Sequence, residues 1–192
     1  MVEWKLHSVP FLGKAHVEFE ETHIAEVPDL SLVSIAFSSN RRGELEQALQ
    51  DSLGLALPSP GRSEMAADGS IGLFWMAPDQ LLALASGQES DQTLLDHVRN
   101  VTGNAGYYTN QTDNWCALRL GGNLAMPALE RVCPLDLHVS VFPMGSVART
   151  VMEHIHTVIH RENERQFLLL SPSSSAQSFM HAITASLRNV SV

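Results

Sequence analysis

Cysteine is scarce in this sequence: Cys116 and Cys133 are the whole complement, and they form no CxxC pair. That spacing argues against a disulfide framework, and both thiols read as small buried apolar groups. Positive charge is sparse as well, because 12 Lys and Arg stand against 21 Asp and Glu, for a formal net charge of −9. Such a surface repels a phosphate backbone, and the cations are scattered rather than gathered into a stripe, so nucleic acid is not an expected partner. The first 30 residues lack an uninterrupted apolar run, since Glu3, Lys5, His7, Lys14 and Glu18 break up the apolar positions. Neither a signal peptide nor a membrane span is expected there, which predicts a cytoplasmic protein. Asn100-Val101-Thr102, Asn110-Gln111-Thr112 and Asn189-Val190-Ser191 match the glycosylation pattern, but without secretion they carry no consequence.

The sequence also lacks the local patterns that announce common chemistries. Neither GxGxxG nor GxxxxGK[ST] occurs, so no loop is marked for cradling phosphates. No serine sits in a GxSxG elbow, and neither cysteine has a histidine nearby in a nucleophile pattern.

What is present describes a globular α+β chain. Its 192 residues are 44% hydrophobic and 17% charged, and a chain of this size buries roughly 70% of its unfolded surface without a metal or disulfide. The modest share of charge suggests that a partner covers part of the surface. Residues 1–29 mix Trp4, Phe11, Leu12, Phe19 and Ile24 with charges at no clear period and read as an extended N-terminal arm. Leu30 to Phe37 is rich in β-branched and aromatic residues and predicts a strand. Leu45, Ala48, Leu49 and Leu53 share a helical face, which predicts a helix over 43–53 ended by a left-handed Gly54.

Prolines and glycines make 58–70 a surface loop. Ile71–Met76 and Gln80–Ala85 flank Ala77-Pro78-Asp79 and predict a hairpin, with a short helix at Leu81–Leu84 as the alternative. Leu94, Leu95, Val98 and Val101 mark a helix starting near Ser90 or Asp91. The second half repeats the scheme with a strand at Trp115–Leu120, a Gly121-Gly122-Asn123 turn and a helix carrying Ala125, Leu129 and Val132. Pro127 is tolerated in that helix because it falls in the first turn. Strands at 147–160 and 166–171 follow, then a final helix with Phe179, Met180, Ile183 and Leu187 on one face, a pattern more often core than ligand pocket. The expected fold is α+β: two pseudo-repeated βαββα-type units, 30–110 and 111–192, in one compact domain with helices packed on mainly antiparallel sheet.

The sharpest chemical pattern is His154, His156 and His160, which share parity on the predicted strand, with Glu162 in the same register. Across an extended strand His154 and His160 stand about 20 Å apart at ~3.3 Å per residue, so one metal cannot take all three without a bend. A polar sheet face, or contact with a partner subunit, is the favoured reading of these histidines. Asp113, Asp136 and His138 assemble on paper into an acid–base set, yet such residues routinely serve turns and solvation. Phe142-Pro143-Met144-Gly145 reads as a turn packed on the core, with a recognition loop as the alternative. No catalytic, cofactor-binding or metal residue is assigned.

Several blocks are distinctive as sequence. Gln111-Thr112-Asp113-Asn114-Trp115 leads into Ala117-Leu118-Arg119-Leu120-Gly121, and the run from Leu129-Glu130-Arg131-Val132-Cys133-Pro134 to Leu135-Asp136-Leu137-His138 follows. Phe142-Pro143-Met144-Gly145-Ser146-Val147-Ala148-Arg149-Thr150 and Phe167-Leu168-Leu169-Leu170 complete the set. Together they resemble the gamma subunit of heterotetrameric sarcosine oxidases. Leu32-Val33-Ser34-Ile35, Gly54-Leu55-Ala56-Leu57-Pro58 and Trp75-Met76-Ala77-Pro78-Asp79-Gln80 extend the likeness more loosely, to about residues 26–188.

The resemblance implies a fold similar to the folate-binding domain of aminomethyltransferases. It also implies a non-catalytic, assembly role beside alpha, beta and delta subunits, in an enzyme that demethylates sarcosine to glycine with formation of hydrogen peroxide and methylene-tetrahydrofolate. FAD, FMN, NAD, tetrahydrofolate and zinc are implied for those other subunits and for no residue here. This chain places His156 and His160 where the family's pattern is apolar. The competing reading is a free-standing folate-binding or one-carbon transfer protein of the same fold.

Overall fold

The computed structural model describes residues 9–87 and 91–191. A hairpin, β1 (His16–Phe19) and β2 (Thr22–Glu26), comes first. Much of the expected extended arm is therefore sheet. Its signal was the alternation of Thr22, Ile24 and Glu26, which are buried, with His23 and Ala25, which are less so. Glu26 then ties down the chain ahead of the hairpin by accepting the amides of Leu12 and Lys14 at 3.1 and 2.8 Å.

Two passes through one topology follow. The first runs β3 (Leu30–Ala36), α1 (Arg42–Leu53), β4 (Ser63–Met65), β5 (Gly72–Ala77), β6 (Gln80–Ser86) and α2 (Asp91–Thr102), with β7 (Tyr107–Asn110) after it. The second runs β8 (Trp115–Gly122), α3 (Ala125–Val132), β9 (Val147–Met152), β10 (Ile155–Asn163), β11 (Gln166–Pro172) and α4 (Ala176–Val190). The sheets are ordered β4-β5-β6-β3-β7 and β1-β2-β8-β11-β10-β9, all neighbours antiparallel. Each unit thus holds its first strand beside its last, and an extra strand, β7 or β2, lies on the far side of that first strand.

The pseudo-repeat is present, but each unit is βαβββα, one strand richer than the sequence suggested. In the first unit the extra strand is β4, only three residues long and set in the Pro/Gly-rich stretch 58–70. In the second, the single strand expected over 147–160 is two strands. Met152 pairs with Ile155, and Glu153 and His154 make the turn with φ of 45° and 67°. Tight hairpins favour Asn and Gly at such left-handed positions, so Glu-His gave no turn signal. The hairpin β5–β6 and the helices α1, α2, α3 and α4 lie where the sequence places them.

The layers are helix, sheet, sheet, helix. Leu45 and Leu49 of α1 and Leu94, Leu95 and Val98 of α2 pack on Val33, Ile35, Leu73, Leu81 and Ala83 of the five-stranded sheet. Ala128 and Leu129 of α3 and Phe179, Ile183 and Leu187 of α4 pack on Leu118, Leu120, Ile159, Phe167 and Leu169 of the six-stranded sheet. Between the sheets, Leu30, Leu32, Phe74, Leu82 and Leu84 meet Ala117, Val147, Val158, Leu168 and Leu170. Strands apolar on both faces are what a sheet buried on both sides requires, which explains the continuous run Phe167-Leu168-Leu169-Leu170. Two glycines fix the path. Gly54 ends α1 at φ 64°, its amide closing on Gln50 O at 3.1 Å. Gly122 ends β8 at φ 120°, where a Cβ would stand 2.2 Å from Glu21 O and 2.5 Å from Thr22 Cα.

Candidate functional site

A connected group of polar side chains gathers where Arg62 and Ser63 of one sheet meet Gly145, Ser146 and His160 of the other. The β4 segment leaves its own sheet to touch the other: Arg62 bridges to Ser146, Ser63 N donates to Gly145 O at 2.8 Å, and Val147 N donates to Gly61 O at 2.8 Å. Arg62 reinforces this from its side chain, with Nη1 on Ser146 Oγ at 2.9 Å and Nη2 on Met144 O at 3.0 Å. Gly145, left-handed at φ 78°, also donates its amide to Arg161 O at 2.9 Å. The Phe142-Pro143-Met144-Gly145 turn is thus a splice between strands. Phe142 is in the core beside α3, while Met144 is exposed.

His160 lies inside this splice. Alternation along β10 turns it toward the seam, where its ring sits 4.5 Å from that of Phe74 and Nε2 is 3.0 Å from Ser63 Oγ. Ser63 has one hydroxyl proton, directed to Gly145 O at 3.0 Å, so its oxygen accepts from His160 Nε2–H. Nδ1 then carries the lone pair, buried and without a donor. Burial, reinforced by the cations of Arg119 and Arg62 and opposed by Glu162, pushes the imidazole pKa down to about 4. A serine nucleophile needs the reverse arrangement, with histidine accepting the serine proton and an acid orienting the other ring nitrogen. Ser63 and His160 hold each other and the Gly145 carbonyl instead.

Glu162, two residues on, has a cation for its partner. Arg119 Nε and Nη2 donate to Oε2 and Oε1 at 2.8 and 2.9 Å, and Gln166 Nε2 donates to Oε2 at 2.6 Å. Burial alone would raise this carboxyl, but the Arg119 and Gln166 hydrogen bonds and the Arg119 charge hold it below the usual carboxylate range.

The three histidines singled out by parity are separated by the β9–β10 turn. His154 is exposed in the turn itself, His156 is exposed opposite Val151, and His160 is buried. Among the described residues no three or more of His, Cys, Asp and Glu converge on a point a metal could occupy. Asp136 accepts the His138 amide at 2.9 Å in a local turn, and His138 Nδ1 lies 2.7 Å from Ser140 Oγ. Asp113 lies in the short turn ahead of β8, beside Trp115 and Pro28, so the paper triad is not assembled. Cys116 is buried, and its thiol is pushed up to about 12 by burial and by Glu26. Cys133 is buried and likewise raised by burial, so neither is an activated nucleophile. Arg62, Ser63, Ser146 and the buried Arg161 were missed. Only Arg161 left a signal, a charge at the same strand parity as the core residue Ile159.

This architecture, two facing antiparallel sheets with helices outside, is a known one. The chain superposes with TM-score 0.63 on the glycine cleavage system aminomethyltransferase T from Bartonella henselae, at 14% identity, covering 85% of this chain and 45% of that one. A chain of the heterotetrameric sarcosine oxidase from Corynebacterium sp. U-96, solved in complex with pyrrole 2-carboxylate, superposes with TM-score 0.79 at 23% identity, covering 92% of this chain and 89% of that one. The fold is therefore that of the aminomethyltransferase-like proteins. The family model for the sarcosine oxidase gamma subunit matches residues 42–187. The chain belongs to the sarcosine oxidase gamma subunit family.

Curated relatives agree. Sarcosine oxidase subunit gamma of Corynebacterium sp. strain P-1 is 25% identical over 134 residues, 70% of this chain and 65% of the relative. That of an Arthrobacter species is 30% identical over 123 residues, 64% of this chain and 60% of the relative. The matched stretch spans a little under two thirds of each relative's own length.

Proposed function

We propose that the chain is a non-catalytic subunit of a heterotetrameric sarcosine oxidase and serves its assembly. The observation that carries this reading is the engagement of the seam's reactive groups with one another: Ser63 with His160 and Gly145, Glu162 with Arg119 and Gln166. A catalytic constellation needs a group free to meet substrate. The reaction of the assembly is the oxidative demethylation of sarcosine to glycine, with hydrogen peroxide and methylene-tetrahydrofolate as products. Its FAD, FMN, NAD, tetrahydrofolate and zinc belong to the alpha, beta and delta partners. Residues 30–110 and 111–192 act as one compact domain on this reading, in the cytoplasm. No helix among the described residues is long and apolar enough to cross a membrane, which accords with that placement.

The test is co-expression with the neighbouring oxidase chains followed by purification through a tag on this one. Larger flavin-bearing chains should co-purify and show sarcosine-dependent oxygen uptake, while the chain alone shows none. Oxygen uptake by the isolated chain, or failure to retain any flavin-bearing chain, contradicts the assembly role. Saturable tetrahydrofolate binding by the isolated chain would favour the one-carbon transfer reading instead.

A further inference from the structure

Arg161 is 1% exposed, yet no carboxylate pairs with its guanidinium among the described residues. Its terminal nitrogens reach backbone carbonyls, Nη1 that of Glu164 at 2.8 Å and Nη2 that of Leu137. The group lies 4.6 Å over the ring of Phe167, and Nε is buried with no partner. A buried cation that no carboxylate touches is unusual, because desolvation of the charge needs a closely placed compensating anion. Carbonyl dipoles and a ring face compensate only in part.

The side chain forms one wall of a pocket of about 340 Å³, a size that accommodates small molecules. A second cation stands on the wall: Arg165, whose Nη1 donates to Asn123 Oδ1. The ring of His138 lines the pocket too, with Nδ1 engaged by Ser140 Oγ at 2.7 Å. The pocket's one acid is Glu164, whose charge is near enough to favour the Arg161 cation, although no ion pair joins its carboxylate to either arginine among the described residues. Met126 and Val139 supply apolar wall, Val139 being half-exposed. Met126 also belongs to the first turn of α3, where the Ala125 and Met126 amides have no intrahelical acceptor, while Pro127 has no amide hydrogen and the Leu124 and Ala128 amides are bonded to Thr22 Oγ1 and Leu124 O.

We propose that this pocket is a binding site for a small organic anion, a carboxylate or phosphate carried on a compact apolar body, with Arg161 as its buried counter-ion and Arg165 as the cation at its mouth. The apolar body rests on Met126 and Val139.

The test is a titration of the full-length ¹⁵N-labelled chain with inorganic phosphate and, separately, butanoate, at constant ionic strength. Saturable shifts of the Gly122, Asn123 and Met126 amides are expected with at least one probe, and the preferred probe distinguishes a carboxylate from a phosphate site. Arg165→Gln, at an exposed position, should weaken binding about tenfold or more, the effect of losing one charge-assisted hydrogen bond, while Arg149→Gln on β9 leaves it unchanged. Arg161→Gln perturbs the core as well as the pocket, so Arg165→Gln carries the comparison. No saturable shift with either probe, or equal responses in the two variants, overturns the proposal. It is overturned as well if the probes leave the chain unmoved while Arg165→Gln weakens assembly, because the pocket then receives a partner's acidic side chain.

Discussion

Gly54 closes the first helix of the first unit with open space where a Cβ would stand, whereas Gly122, at the end of the second unit's first strand, has the Glu21 carbonyl 2.2 Å from that position. The two units follow one path but are built with different constraints. In the first, α1 and α2 meet the sheet through Leu, Ile, Val and Ala side chains. In the second, the extra strand β2 arrives as part of a hairpin pressed against β8, and Arg119, His160, Arg161, Glu162 and Gln166 crowd the strands β8, β10 and β11. A repeated topology therefore fixes the positions of strands and helices, while the tightest glycine–backbone approach and, among the described residues, the buried ionisable side chains Glu26, His160 and Arg161 lie in the half that gains the hairpin.

The largest effect should come from making one substitution in both halves. Gly122→Ala places a methyl group against backbone at a left-handed φ and should cost about 4 kcal/mol, whereas Gly54→Ala should cost about 1 kcal/mol. Urea unfolding of both variants reads the difference, and equal costs would remove the contrast between the units.

His160 gives the next effect. Its pKa falls from 6.5 to about 4 on folding, so the unfolded chain binds the extra proton between those values. Stability from this group is full above pH 6.5 and is lost as pH falls toward 4, on the order of 3 kcal/mol in all. Phe in place of His160 should flatten the stability–pH curve across that window, and an unaltered slope would assign the pH dependence to another group.

A double-mutant cycle of Arg119→Ala and Glu162→Gln, both partners being partly buried, should return about 1 kcal/mol of coupling. That coupling should shrink when Gln166 is replaced, because it shares the carboxylate. The smallest effect has the opposite sign. His154→Gly relieves a left-handed residue at φ 67° in the β9–β10 turn and should raise stability by about 1 kcal/mol, seen as a higher Tm.

These sites also mark how much was legible in the sequence. Periodicity located all four helices, because their buried positions recur at helical spacing, as with Leu45 and Leu49 or Phe179, Ile183 and Leu187. It failed where turns use unsuitable residues, as at Glu153-His154, and where strands are short, as at Ser63–Met65. The β1–β2 hairpin was hidden for a related reason: its turn holds Glu20 at φ 48° in place of glycine. The polar seam was out of reach altogether. Ser63 and His160 are 97 positions apart, and Arg62 and Ser146 are 84 apart, so only the facing of the two sheets brings them together. Strand parity singled out His160 and Glu162 but left them as a polar sheet face or a partner contact, since nothing local announces that Ser63 and Arg119 will be their partners.

The central claim is that Ser63 and His160 hold the sheets together and take no part in chemistry. Steady-state turnover of sarcosine by the reconstituted complex, carrying Ser63→Ala or His160→Gln in this chain and normalised to the amount of assembled flavoprotein, tests it directly. The account predicts an unchanged kcat for assembled enzyme, with any loss confined to yield or thermal stability. A large fall in kcat in fully assembled complex would contradict it.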